Sequence, residues 1–100
     1  MTKLSIIILS YNTKNLTVKC ARSVIRQYGG QIKNNEAEII VVDNASTDGS
    51  AEAIGNFKFH PANGGTNFKL INNKENYGFS KGNNMGAKEA KGEFILFLNS

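Results

Sequence analysis

One hundred residues with 40% hydrophobic and 20% charged side chains describe a single globular domain with a modest core, since a chain of this size buries only roughly 60–70% of its unfolded surface. The net charge of +4 and pI near 9.3 would suit an anionic ligand or surface, but the twelve Lys and Arg residues are scattered between Lys3 and Lys91; no dense run marks a duplex nucleic-acid partner, and solubility accounts for the charge as well as nucleic acid does. The lone cysteine, Cys20, leaves no internal disulfide, and no apolar run approaches the ~20 residues of a membrane span or precedes a signal-cleavage site, so a reducing, cytosolic setting is expected.

Leu4-Ser5-Ile6-Ile7-Ile8-Leu9 is short, β-branched and nearly unbroken, the pattern of a strand buried on both faces. From Asn15 onward Leu16, Cys20, Ala21, Val24 and Tyr28 recur at helical spacing with basic residues between them, and Gly29-Gly30 is expected to end that helix. Cys20 falls in this pattern and reads as a small buried hydrophobe. Glu38 to Val42 forms a second buried strand ending on Asp43-Asn44, and a helix is expected to start near Ser46-Thr47-Asp48 and to run through Ala51, Ala53 and Ile54. Gly55 to Asn67 holds the single proline and a Gly-Gly pair and reads as a mobile loop, with a weak strand signal at Phe57 to Phe59. Phe68 to Ile71 is the third strand, Ser80 to Ala90 the third helix, and Phe94 to Leu98 the fourth strand. Buried strands alternating with helices predict an α/β fold, a parallel open sheet with flanking helices and right-handed crossovers.

Three clusters carry possible chemistry. Ser10-Tyr11-Asn12 leaves the first strand at the rim where open sheets bind ligands; Tyr11 reads either as a surface for a base to stack on or as a cover over the core edge. Asp43 leaves the second strand at the same rim, placed to accept hydrogen bonds from a ring N–H or ribose hydroxyls, whereas Asp48 reads as a helix-start residue favoured by the helix dipole. The third cluster runs from Asn76 to Gly86. Its glycines have neither the dinucleotide nor the P-loop spacing; on one helix face, Gly82 and Gly86 let the helix press against the sheet. Asn76, the free amides at that helix start and Lys81 can face a diphosphate. His60, in the irregular stretch with no paired carboxylate nearby, reads as solvated.

Together Ile7 to Asn12, Ile40 to Ser50, Asn76-Tyr77-Gly78-Phe79 continuing to Asn84-Met85-Gly86, and Glu93 to Ser100 resemble the start of the family-2 glycosyltransferases, most of all a rhamnosyltransferase-like branch. The resemblance implies the nucleotide-binding half of a GT-A, Rossmann-like fold. It implies a UDP- or dTDP-sugar donor contacted by Ser10, Tyr11, Asn12 and Asp43, with Tyr11 beside the base and Asp43 at its edge. Asn44 and Ser46 would shape that pocket, while Asn76, Gly78, Phe79 and Lys81 would line the donor side; Asn84 matches a motif position and reads either as a ligand contact or as a helix support. It further implies inverting transfer to a glycan or lipid-linked acceptor, polysaccharide biosynthesis at the cell envelope, and a peripheral position at the inner face of the membrane for the parent enzyme.

In that family the Asp-x-Asp metal motif follows directly after the segment matching Leu98-Asn99-Ser100, and the catalytic base lies further along. On this reading residues 1–100 are one partial domain without the acceptor half. Mg2+ or Mn2+ then serves the full-length enzyme, no metal binds tightly to this chain, and the chain by itself transfers no sugar. Its open sheet edge is expected to promote a homodimer or higher association through strand four or the third helix. Two alternatives are a nucleotidyltransferase-like domain, disfavoured because Ser10-Tyr11-Asn12-Thr13-Lys14 has no glycine, and a non-catalytic nucleotide- or partner-binding module.

Overall fold

β1 (Leu4–Ser10) sends Ile6 and Ile8 to one face of the sheet and Ile7 to the other, and all three are fully buried. An uninterrupted apolar run therefore has helices on both sides of it. The computed structural model describes residues 2–55 and 67–99, and the possible strand at Phe57 to Phe59, together with His60, lies outside the described residues. The remaining elements are α1 (Lys14–Lys33), β2 (Ala37–Asp43), α2 (Ser50–Gly55), β3 (Phe68–Asn72), α3 (Phe79–Glu89) and β4 (Phe94–Asn99). The described strands form one four-stranded parallel sheet in the order β3-β2-β1-β4, with Ile7 opposite Ile40 and Phe97, and Ser10 opposite Asp43.

α1 and α2 cover one face. Ala21, Val24 and Ile32 of α1 and Ile54 of α2 pack with Ile6, Ile8, Ile39 and Val41. α3 covers the other, where Ile7, Ile40 and Val42 meet Ala87. Gly82 and Gly86 make that close approach: a Cβ on Gly86 would stand 2.6 Å from Ile7 Cγ2, and one on Gly82 2.6 Å from Leu9 Cδ1. The expected packing role of both glycines is thus present.

Two helix boundaries differ from expectation. α1 continues through Gly29-Gly30 with a kink at Tyr28 and ends only at Lys33, before Asn35 adopts a left-handed φ of 61°. The glycines cost the helix about 1 kcal/mol each, whereas full burial of Ile32 in the next turn contributes roughly 1.5–3 kcal/mol, enough to carry the helix past them. α2 starts at Ser50 rather than near Ser46, because Ala45 and Gly49 take left-handed φ values of 63° and 85° that a helix does not accommodate.

At the amino ends of the strands Glu38 is buried beneath the α3–β4 turn. Its Oε2 accepts from Ser5 Oγ at 2.6 Å and from the Lys91 amide at 2.6 Å, while Lys69 Nζ stands 3.7 Å from Oε1. This clamp fastens the turn entering β4 to the sheet. Among the described residues no helix is long and apolar enough to cross a membrane.

Candidate functional site

The chain passes from β1 outward to β2 and β3, then returns through α3 to place β4 on the other side of β1. The strand order therefore reverses between β1 and β4, and the crevice beyond the carboxyl ends of the strands at such a point is where open α/β sheets bind ligands. The loops leaving β1 and β2, and the start of α3, bound this end of the sheet.

The first two loops are stitched together by side chains. The Asn12 amide donates to Ser46 Oγ at 2.8 Å, and Asn12 Oδ1 accepts from the Thr47 amide at 2.7 Å. Asn12 has a left-handed φ of 52°, a conformation that Asn tolerates better than most residues, and it thereby reaches the second loop with both backbone and side chain. Asp48 links the helix starts: Oδ2 accepts from the Lys14 amide at 3.0 Å, and Oδ1 accepts from the Ser50 amide at 3.0 Å and from the Ser50 hydroxyl. These bonds, the Ser50 hydroxyl's first, hold the Asp48 carboxyl below its ordinary pKa. Asp48 is thus the helix-start residue that the sequence indicates, serving two helices rather than one.

Asp43 is 1% exposed, and both its oxygens accept from Ser46, Oδ2 from the amide at 3.0 Å and Oδ1 from the hydroxyl at 2.7 Å. Ser46 Oγ thus receives Asn12 and gives to Asp43, so one hydroxyl ties the two loops to the buried carboxylate. Ser10 is fully buried, its Oγ accepting from Thr17 Oγ1 at 2.9 Å. Tyr11 beside it is 48% exposed and presents its ring at the rim. Asn44 is buried against the start of α3 and donates from Nδ2 to the Gly78 carbonyl at 3.1 Å.

On the α3 side, Asn76 Oδ1 accepts from the Gly78 amide at 2.9 Å, and Gly78 holds φ at 85°, so this turn is shaped by a side chain and a glycine together. Lys81 places its ammonium 4.6 Å from the centroid of the Tyr77 ring, a cation–π distance. Phe79 is exposed and, with Ser80, Asn83, Asn84 and Phe97, lines a surface depression of about 380 Å³ between α3 and β4. The structure therefore bonds Asn12, Ser46 and Asp43 into one rim with Ser10 and Tyr11 beside it, joins Asn44 to the turn of Asn76 and Gly78, and sets Phe79 and Asn84 on the depression between α3 and β4. Asn73, which the sequence reading passes over, bonds to Asn44; its signal was an asparagine directly after a strand ending in register with Asp43.

Among the described residues no three His, Cys, Asp or Glu side chains gather to hold a metal ion. Asp43 and Asp48 instead accept hydrogen bonds from Ser46, Ser50 and the Lys14 amide. Cys20 is half-buried against the α1 face of the core, and burial pushes its thiol pKa up. It packs as a hydrophobe.

Comparison with known proteins bears on the family and the fold. GlyG, a glycosyltransferase of Streptococcus pneumoniae, is 30% identical over 97 residues, which are 97% of this chain and 29% of that protein. The poly(ribitol-phosphate) β-glucosyltransferase of Bacillus spizizenii is 34% identical over 98% of this chain and 14% of its own length. The poly(ribitol-phosphate) β-N-acetylglucosaminyltransferase TarS of Staphylococcus aureus is 30% identical over 100% of this chain and 16% of its own length. This chain thus spans less than a third of each of these relatives. Among solved structures, the mannosyltransferase PcManGT from Pyrobaculum calidifontis, in complex with GDP-Man and Mn2+, superposes with a TM-score of 0.65 at 23% identity, over 97% of this chain and 27% of that one, which shows the shared GT-A fold. The model of glycosyl transferase family 2 matches residues 5–100, and the chain belongs to that family.

Proposed function

We propose that this chain is the donor-binding half of an inverting glycosyltransferase that moves a sugar from a UDP- or dTDP-sugar to a glycan or lipid-linked acceptor. The observation that carries the reading is the bonded rim: Asn12, Ser46 and Asp43 hold two loops together beside the half-exposed ring of Tyr11, at the end of the sheet where its strand order reverses. Tyr11 supplies a flat surface on which a uracil or thymine stacks. Asp43 orders the Ser46 turn from beneath and has lone pairs left over for the edge of the base. The amides at the start of α3, with Lys81 and Asn76, face the diphosphate.

The relatives that act on poly(ribitol-phosphate) support an envelope polymer as acceptor, and hence work at the inner face of the membrane. Mg2+ or Mn2+ belongs to this reading as a cofactor of the full-length enzyme. On the same reading the isolated chain transfers no sugar, and its open β4 edge draws copies together.

The test is an NMR titration of the chain with UDP, dTDP and GDP, with and without Mn2+, following the amides of Tyr11, Asp43 and Lys81. Selective shifts at Tyr11 and Asp43 with a uridine or thymidine nucleotide are expected. A folded sample in which no nucleotide moves these signals would count against the donor site.

A further inference from the structure

Asn73 follows β3 and belongs to neither stitched loop, yet it touches both sides of the candidate site. Its backbone amide donates to the Asp43 carbonyl at 2.9 Å, and its Nδ2 donates to Asn44 Oδ1 at 2.9 Å while lying 3.5 Å from Met85 Sδ on α3. Asn44 passes the connection on, its Nδ2 donating to the Gly78 carbonyl, which also accepts from the Gly82 amide at 3.0 Å. Asn44 and Asn73 are 1% and 9% exposed. Their orientation follows from chemistry alone. A backbone carbonyl only accepts, so Asn44 must offer nitrogen to Gly78 and oxygen to Asn73, and Asn73 must then offer nitrogen. The contact is close-packed as well, since a Cβ on Gly82 would stand 2.9 Å from Asn44 Nδ2.

We propose that Asn73 and Asn44 form a positioning strut that sets the turn at residues 76–81 at a defined distance from the Asp43 rim, and so matches the diphosphate side of the donor site to its nucleoside side. This rests on the nucleoside-diphosphate reading above. Gly78 and Asn76 give the turn its shape, and the strut gives it its place. Neither asparagine needs to touch ligand. Truncating Asn73 leaves Asn44 Oδ1 buried without its partner and frees the turn, while the loops that hold the nucleoside keep all their bonds.

The experiment compares this chain with its Asn73→Ala variant by amide hydrogen exchange and by titration with UDP and uridine, and with dTDP and thymidine. Exchange at Gly82 is expected to rise about 10-fold while the amides of Ile7 and Val41 keep their protection. Affinity for the diphosphates falls about 10-fold, and affinity for the nucleosides stays unchanged. Uniform acceleration across the sheet, or equal loss for nucleoside and diphosphate, would mean that Asn73 only stabilises the fold and would overturn the strut. Unchanged exchange at Gly82 would overturn it too. If the alanine variant fails to fold, Asn73→Ser, whose hydroxyl is too short to reach Asn44, gives the same comparison. A wild-type chain that binds none of the four probes would instead remove the donor reading, and the exchange result would still decide whether the strut holds the turn.

Discussion

Asp48 joins the starts of α1 and α2 through one exposed carboxylate, accepting from the Lys14 and Ser50 amides. Its carboxyl titrates below the ordinary range in the folded chain, chiefly because the Ser50 hydroxyl donates to it. A group lowered on folding stabilises the fold above its unfolded pKa, and that stability is lost as pH falls through the lowered folded value. Asp48→Asn should therefore lower the urea midpoint at neutral pH and flatten the loss of stability on acidification below the ordinary carboxylate range. Parallel acid limbs for the two proteins would show that Asp48 does not contribute to this dependence.

At the level of elements, α3 makes its closest approach to the sheet at Gly82 and Gly86, and α1 bends where glycines follow Tyr28. The two helices make opposite predictions for the same substitution. Gly86→Ala gains about 1 kcal/mol of helix propensity but drives a methyl to 2.6 Å from Ile7 Cγ2 and 3.1 Å from Val42 Cγ2, and overpacking of this kind costs about 1–3 kcal/mol. Ile7 and Val42 are buried strand residues with little room to yield, so a net loss in denaturant midpoint is expected. Gly29→Ala meets nothing within 4 Å and should stabilise the chain by about 0.4–1 kcal/mol. Periodicity placed both helices but could not weigh Gly29-Gly30 against the burial of Ile32 one turn later, because that weight lies in a tertiary contact. The start of α2 was misplaced for a related reason: Ser46 and Thr47 bond to Asn12 of the other loop, and Ser46 to Asp43 at the strand end, instead of capping their own helix.

In the whole molecule, β4 is an edge strand whose Phe94, Ile95, Leu96 and Phe97 are all exposed. Its outer edge has no strand partner among the described residues, and such an edge invites pairing with another chain. Sedimentation of this chain should show association that grows with concentration and is suppressed by Ile95→Lys, which places a charge on the open edge. A monomer at every concentration would remove the expectation.

The type and order of every described element were legible in the residues, because strands stand out as short apolar runs and amphipathic helices by their 3.6-residue spacing. The family was legible as well, since its motifs are local strings at strand ends. Which of those polar residues face solvent and which brace the rim was a matter for the folded chain. Ser10, Asp43 and Asn44 look alike in sequence to Tyr11 and Asn12, yet the first three are buried and hydrogen-bonded while Tyr11 and Asn12 stand at the surface. Asn73 was passed over altogether, as was the buried Glu38 clamp. A hydrogen bond between residues about thirty positions apart leaves no periodicity to read, and its worth depends on burial, which exists only once the sheet has brought its strands side by side.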